Sequence, residues 1–323
     1  MSLIRGLSFF GLCFAFVVIA LGAWTRLVDA GLGCPDWPGC YGFVVFPTTE
    51  AEILIAEQRY PQFPYEIDKA IPEVVHRYFA AALGFIAILL VAFSYKHKLP
   101  TRIKAIASFL LFFICCQGLF GYLTVSLKLL PIIVTGHLFG GFITLSLFFY
   151  LFLNASDGIK NHQIGHLKTL GGIALFALLI QIFLGAWTST NYASLACVDF
   201  PTCQGTYMPE MNFSDGFNLL QEVGPNYLHG LLDNEARVAI HYSHRVSALI
   251  LTLIFMILIT KLWFSNAAPL ASTLGVILGT QISLGVMNVV YVLPLYIAIA
   301  HNLVAALLLL ATLMVNLVIW KDE

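Results

Sequence analysis

The chain has 323 residues, of which 59% are hydrophobic and 10% charged, with a formal net charge of -1 and a mean hydropathy of +0.88. Soluble domains carry about 25% charged residues, so this composition specifies an integral membrane protein. The near-neutral balance, with no basic stripe, argues against a nucleic-acid partner.

A membrane helix needs roughly 20 apolar residues. In chain order the qualifying runs lie near 6–25, 73–95, 104–126, 131–153, 168–190, 239–263, 268–291 and 295–319. The first run is read as a retained span, because its end carries the first copy of a motif that recurs in the second half, whereas a cleaved leader would show a shorter apolar core and a small-residue cleavage site. The expected fold is therefore all-α, with about eight transmembrane helices arranged as two pseudo-symmetric four-helix bundles. The N-terminal half is expected over 1–153 and the C-terminal half over 168–323, joined by a cytoplasmic linker at 154–167. Arg5, Lys96, Lys98, Arg102, Lys104, Lys160, Lys168, Lys261 and Lys321 all fall on one side of this topology, which the positive-inside rule makes cytoplasmic. Both termini then lie inside, and the long loops 26–72 and 191–238 face outward. Within the loops, Thr49 to Tyr60 mixes acids with Ile53, Leu54 and Ile55 and predicts a short helix on the membrane surface. Phe217 to Leu220 is expected to do the same in the second loop.

An internal repeat underlies this layout. Gly22-Ala23-Trp24-Thr25 recurs as Gly185-Ala186-Trp187-Thr188, and Cys34, Asp36, Pro38 and Cys40 recur 163 positions later as Cys197, Asp199, Pro201 and Cys203. His76-Arg77 recurs as His244-Arg245, His137 as His301, and Gln117 and Gly121 as Gln281 and Gly285. Long repeats of this kind call for two related halves.

Each half thus contributes two membrane histidines. His76, His137, His244 and His301 lie at matching depths, one to two turns inside the outer ends of their spans at about 1.5 Å rise per residue. Isolated polar residues packing the interior of a bundle would not recur in pairs at one depth. Zinc would draw its ligands to a single centre, whereas the repeat implies two. A pair of imidazoles per half suits a haem iron held from both faces. His97, His162 and His166 fall on cytoplasmic loops, and His229 lies in the second outer loop without a counterpart.

Arg77 and Arg245 follow two of these histidines. They either snorkel to the interface or neutralise haem propionates through guanidinium–carboxylate pairing. Glu73 stands three residues before His76, on the same helical face, where the second half has His241. A carboxylate there either complements a helix N-terminus or moves protons at a bound macrocycle. The broken symmetry points to chemistry in the first half and electron relay in the second, with His241 as an alternative ligand to His244. Cys34–Cys40 and Cys197–Cys203, on the outer, oxidising side, are expected to form local disulfides. They either clamp the loops or exchange thiols with a partner, although the spacing is not Cys-x-x-Cys. Cys13, Cys115 and Cys116 are packing residues within spans.

Together, Gly22-Ala-Trp-Thr-Arg26, the loop Gly31-Leu-Gly-Cys-Pro-Asp-Trp-Pro-Gly-Cys40, Glu73-Val-Val-His-Arg77, His244-Arg245 and His301 resemble the haem A synthase family over nearly the whole chain. The resemblance implies a membrane oxidoreductase that converts the C8 methyl of haem O to the formyl group of haem A for cytochrome oxidase assembly, by two successive hydroxylations. It implies substrate or product haem on His76 and His137, haem b on His244 and His301, and an essential role for Glu73. It further implies haem O supplied by the farnesylating haem O synthase. A membrane electron donor such as quinol and a homo-oligomer are further expectations, in a bacterial cytoplasmic or mitochondrial inner membrane. The residues alone would also fit a di-haem b electron-transfer protein, a haem transporter or chaperone, or, less well, a disulfide-generating membrane protein.

Overall fold

The computed structural model describes residues 1–156 and 164–321. The described residues form ten α-helices: α1 Ser2–Leu27, α2 Glu50–Arg59, α3 Ile67–Lys96, α4 Thr101–Ser126, α5 Pro131–Asn154, α6 Lys168–Thr190, α7 Phe213–Gly216, α8 Asn234–Phe264, α9 Ala268–Val290 and α10 Leu295–Lys321. A 3-10 turn at Gly165–Leu167 leads into α6. All but α2 and α7 are long and apolar enough to cross a membrane, so the protein is an all-helical integral membrane protein. Phe85, Phe112, Phe176, Leu249 and Val276 are each at least 60% exposed, as side chains facing lipid are. His162 and most of the expected linker lie outside the described residues.

Two compact units emerge. One comprises Met1–Ser156 with Leu220–Gly230, and the other Asp157–Leu219 with Leu231–Glu323. In the first, α1 packs on α3 and α5, and α4 packs on the same two, closing a four-helix ring. Its core includes Leu12, Leu83, Leu90, Leu110, Leu145 and Phe148, all buried. Gly11 admits the Phe148 ring, which any Cβ at that position would overlap. In the second unit α6 packs on α8 and α10, and α9 closes the ring around Leu178, Leu251, Phe255, Leu258, Leu274 and Leu309. There Asn316 donates to the Gly171 carbonyl at 3.2 Å, so the polar side chain is satisfied at the α6–α10 contact.

The spans carrying His76 and His244 begin earlier than hydropathy predicts, at Ile67 and Asn234. Their first turns are polar, and an apolar window does not register them, yet they continue the same hydrogen-bonded helix. The helix expected over Thr49–Tyr60 is present as α2. Thr49 and Glu52 form a reciprocal capping box, which satisfies backbone donors at both positions. The second loop departs from expectation: its helix is the single turn α7, upstream of 217–220. Asn212 accepts from the Asp215 N–H at 3.1 Å to start that turn. The Trp187 indole donates to the Gly216 carbonyl at 2.8 Å at its end.

The other departure is Leu220–Gly230. This strap belongs by sequence to the second half but packs in the first unit. Tyr227 is buried on Leu129 and Leu130, its N–H donates to the Lys128 carbonyl at 3.0 Å, and Lys128 Nζ returns a bond to the Gly224 carbonyl at 3.2 Å. His229 Nδ1 sits 3.7 Å from the Asp29 carboxylate. The GAWT-to-His-Arg interval is five residues longer in the second half, and that surplus is the only trace of the strap in the sequence.

Candidate functional site: two histidine pairs beneath disulfide loops

In the first unit His76 comes from α3 and His137 from α5. The two rings have centroids 6.4 Å apart and lie at 89° to one another. Their placement follows from glycines on neighbouring helices. A Cβ at Gly22 of α1 would come within 2.9 Å of the His76 ring, and one at Gly121 of α4 within 3.5 Å of the His137 ring. Each imidazole therefore rests where a neighbouring helix offers bare backbone. The second unit repeats the device. Gly185 of α6 backs His244 of α8, and Gly285 of α9 backs His301 of α10, each with a Cβ contact of 3.1 Å. The glycine of the GAWT motif and the glycine four residues after Gln117 or Gln281 are thus site residues. Their repetition was visible in the sequence, but their purpose was not.

The donor sets fit a haem iron. The 6.4 Å between the His76 and His137 ring centroids leaves room for a metal held by one nitrogen of each ring at about 2 Å. Nδ1 of His137 is buried without a hydrogen-bond partner among the described residues, an expensive arrangement for a group with only a packing role. No cluster of three or more His, Cys, Asp or Glu side chains suited to a metal ion occurs among the described residues.

Above each pair lies a disulfide loop. Cys34–Cys40 and Cys197–Cys203 are both bonded, with Cα atoms 4.8 Å apart in each, so the expected local connectivity is present. Asp36 accepts from the N–H groups of Tyr41 and Gly42 at 2.6 and 2.8 Å. Asp199 accepts from those of Gln204 and Gly205 at 2.7 and 3.0 Å. Gly42 and Gly205 both take φ +77, a left-handed conformation that glycine adopts without a Cβ penalty. The remaining cysteines, Cys13, Cys115 and Cys116, are unpaired thiols.

Arg77 and Arg245 hold these loops. The Arg77 guanidinium donates to the carbonyls of Asp36 and Gly39 at 2.9 and 2.6 Å. That of Arg245 donates to the carbonyls of Asp199, Thr202 and Cys197 at 2.9, 2.8 and 2.7 Å. Both arginines are engaged with loop backbone, and Arg77 also pairs with the Glu73 carboxylate.

Beside the arginines the units differ. Glu73, only 5% exposed, pairs with Arg77 at 2.5 Å and accepts the Cys34 N–H at 2.9 Å. The close approach depends on Gly33, where a Cβ would overlap the Lys69 carbonyl of α3. The second unit has Ala196 in place of Gly33 and His241 in place of Glu73. His241 Nε2 accepts from Arg245 Nε at 3.2 Å. A carboxylate joins the helix to the first disulfide loop, and an imidazole occupies that position in the second.

The ring contacts differ as well. The Gln181 amide nitrogen lies 3.0 Å from His244 Nδ1 and donates to the His244 carbonyl at 3.2 Å. The Gln281 amide nitrogen lies 3.3 Å from His301 Nε2. In the first unit Gln117 lies against the bare backbone of Gly140, and the residue matching Gln181 is Val18.

These features define an eight-span membrane protein with one histidine pair beneath a disulfide loop in each unit. The model of the COX15-CtaA family of cytochrome oxidase assembly proteins matches residues 5–313, and the chain belongs to that family. It is 41% identical over 316 residues to the heme A synthase of Shewanella oneidensis, covering 97% of this chain and 95% of that protein. It is 28% identical over 348 residues to the heme A synthase of Rickettsia felis, covering 99% and 97%. The heme A synthase of a Wolbachia species from Brugia malayi is 28% identical over 325 residues, covering 92% and 91%.

Proposed function

We propose that this protein is a haem A synthase, oxidising the C8 methyl of haem O to a formyl group for cytochrome oxidase assembly. The observation that carries the reading is the His76–His137 pair, spaced so that the two rings could hold an iron between them and lying beneath a loop to which Glu73 is bonded. Family membership narrows that geometry to haem O conversion. Two hydroxylations of one methyl carbon, each taking one oxygen atom from an external oxidant such as dioxygen while two electrons and two protons reduce the other atom to water, would yield a geminal diol, which loses water to become the aldehyde.

On this reading His76 and His137 hold the substrate haem and place its edge under the first disulfide loop. Glu73 accepts or donates the proton at the reacting edge, and its bonds to Arg77 and the Cys34 N–H fix its carboxylate. His244 and His301 hold a haem b, which supplies electron transfer when bound. His244 is preferred to His241 as ligand because Arg245 already occupies His241 Nε2. Arg77 and Arg245 act by holding the loops that roof the two sites. The bias of basic residues supports an orientation with both termini in the cytoplasm of a bacterial cell and the two sites toward the outer face. Haem O arrives from its synthase, and a membrane quinol supplies the electrons.

Extraction of the haems from the purified membrane protein, followed by chromatography, tests this. Haem A or a hydroxylated haem O supports the synthase. Haem B alone in both units would instead establish an electron-transfer cytochrome, and binding of haem O without turnover a carrier.

A further inference from the structure

Arg245 is taken up inside the second unit, where its Nε, Nη1 and Nη2 each donate to a protein atom. The other arginine at the outer end of α8, Arg237, has a buried Nε with no hydrogen-bond partner among the described residues. We propose that Arg237 binds a propionate carboxylate of the second unit's haem. The inference rests on the preceding reading that His244 and His301 hold a haem, a group that carries two propionates.

Helix register places Arg237 on the right face. It precedes His244 by seven residues, which is two turns less about 20°. The two side chains therefore leave α8 in nearly the same direction, with Arg237 about 10.5 Å nearer the outer end. The register is matched in the first unit. Ala70 lies with Cys34 and Cys40 there, as Val238 lies with Cys197 and Cys203 in the second, so Arg237 corresponds to Lys69.

The two cations are engaged differently. Lys69 Nζ donates to the Val28 carbonyl at 2.6 Å, just beyond α1. Arg237 leaves a donor buried and unpaired, which costs free energy. An arginine that merely snorkels would keep its nitrogens in water. Arg237 also lies in the first turn of α8, where a cation opposes the helix dipole. An anion beside it offsets both penalties. The acid of neighbouring α7, Asp215, is turned to Asn212, whose amide donates to it at 2.7 Å. A guanidinium pairs with a carboxylate through parallel N–H bonds, a geometry that an ammonium cannot copy.

The test uses full-length His76→Ala protein, which isolates the second site, stripped of haem in detergent and titrated with haem b or its dimethyl ester. The Soret band reads binding. The acid should bind about 10–100-fold more tightly than the ester, as charge-assisted hydrogen bonds are worth. Equal affinities would overturn the inference without any Arg237 variant having to fold. Arg237→Gln should remove the preference by weakening the acid alone, and Arg237→Lys should keep part of it. An intact preference in Arg237→Gln, or equal weakening of acid and ester, would overturn the inference and leave the haem site standing. Haem retained when His244→Ala is added to His76→Ala would instead overturn the assignment of the site itself.

Discussion

The two units share a helix ring, a histidine pair and a disulfide loop, but the surroundings of those parts differ. In the first, Glu73 ties α3 to the loop through the Cys34 N–H, and α2 covers the loop, with Arg59 lying against Gly42. In the second, the His241 ring accepts from Arg245 and bonds to the Ala193 backbone, and nothing lies within 4 Å of a Cβ at Gly205. The loop covered by α2 is bonded to a buried acid, and the matching place in the second unit holds an imidazole. On the proposed reading, a repeated scaffold holds two similar ligands while one copy alone carries a carboxylate placed for proton transfer.

The largest expected effect separates the two sites outright. His76→Ala should abolish haem binding in the first unit and spare the second, whereas His244→Ala should do the reverse. Low-spin spectra of the two purified variants check this, and loss of both haems in either variant would show that the sites are not independent.

Glu73→Gln comes next. It preserves size and hydrogen bonding but removes the charge and the titrating proton. General acid–base assistance is worth about 10²–10⁴-fold, and haem A formation should fall within that range while both haems remain bound. Glu73→His, which copies the second unit, should fail similarly. Turnover of Glu73→Gln within about threefold of wild type, well outside that range, would remove the catalytic role and leave Glu73 as a loop anchor.

Opening the loops should have a smaller effect. Closing a chain segment of this length stabilises by about 2–3 kcal/mol in the chain-entropy model. Cys34→Ser/Cys40→Ser should lower turnover, because the first loop positions Glu73, whereas Cys197→Ser/Cys203→Ser should mainly lower thermal stability. Equal losses of turnover from the two pairs would mean that the loops do not differ in function.

The smallest effect is one of pH. The Thr202 hydroxyl, followed by the N–H groups of Gly205 and Gln204, holds the Asp199 carboxyl down from 3.8 to about 2. A depressed carboxyl contributes stability above its unfolded value, and this is lost as pH falls through the folded one. Protection of the second loop should therefore persist at pH 5 and fade between about pH 4 and 2. Hydrogen exchange can follow the change, with Asp199→Asn as the pH-insensitive control.

Much of this architecture is legible in the residues. Apolar runs set the eight spans because lipid requires them, and the repeat set two histidine pairs and two local disulfides because identical spacing folds alike. The family is legible for the same reason, since its motifs are short and contiguous. Tertiary structure decided what depends on partners distant in sequence. It gave Arg77 and Arg245 to loop carbonyls 38 to 48 positions away, and it packed Leu220–Gly230 with the first unit. It also turned Gln281 toward His301 while Gln117 lay on Gly140. Local pattern reports which side chains can bond. Which bonds form depends on the space that neighbouring helices leave, and that is settled only once the helices pack.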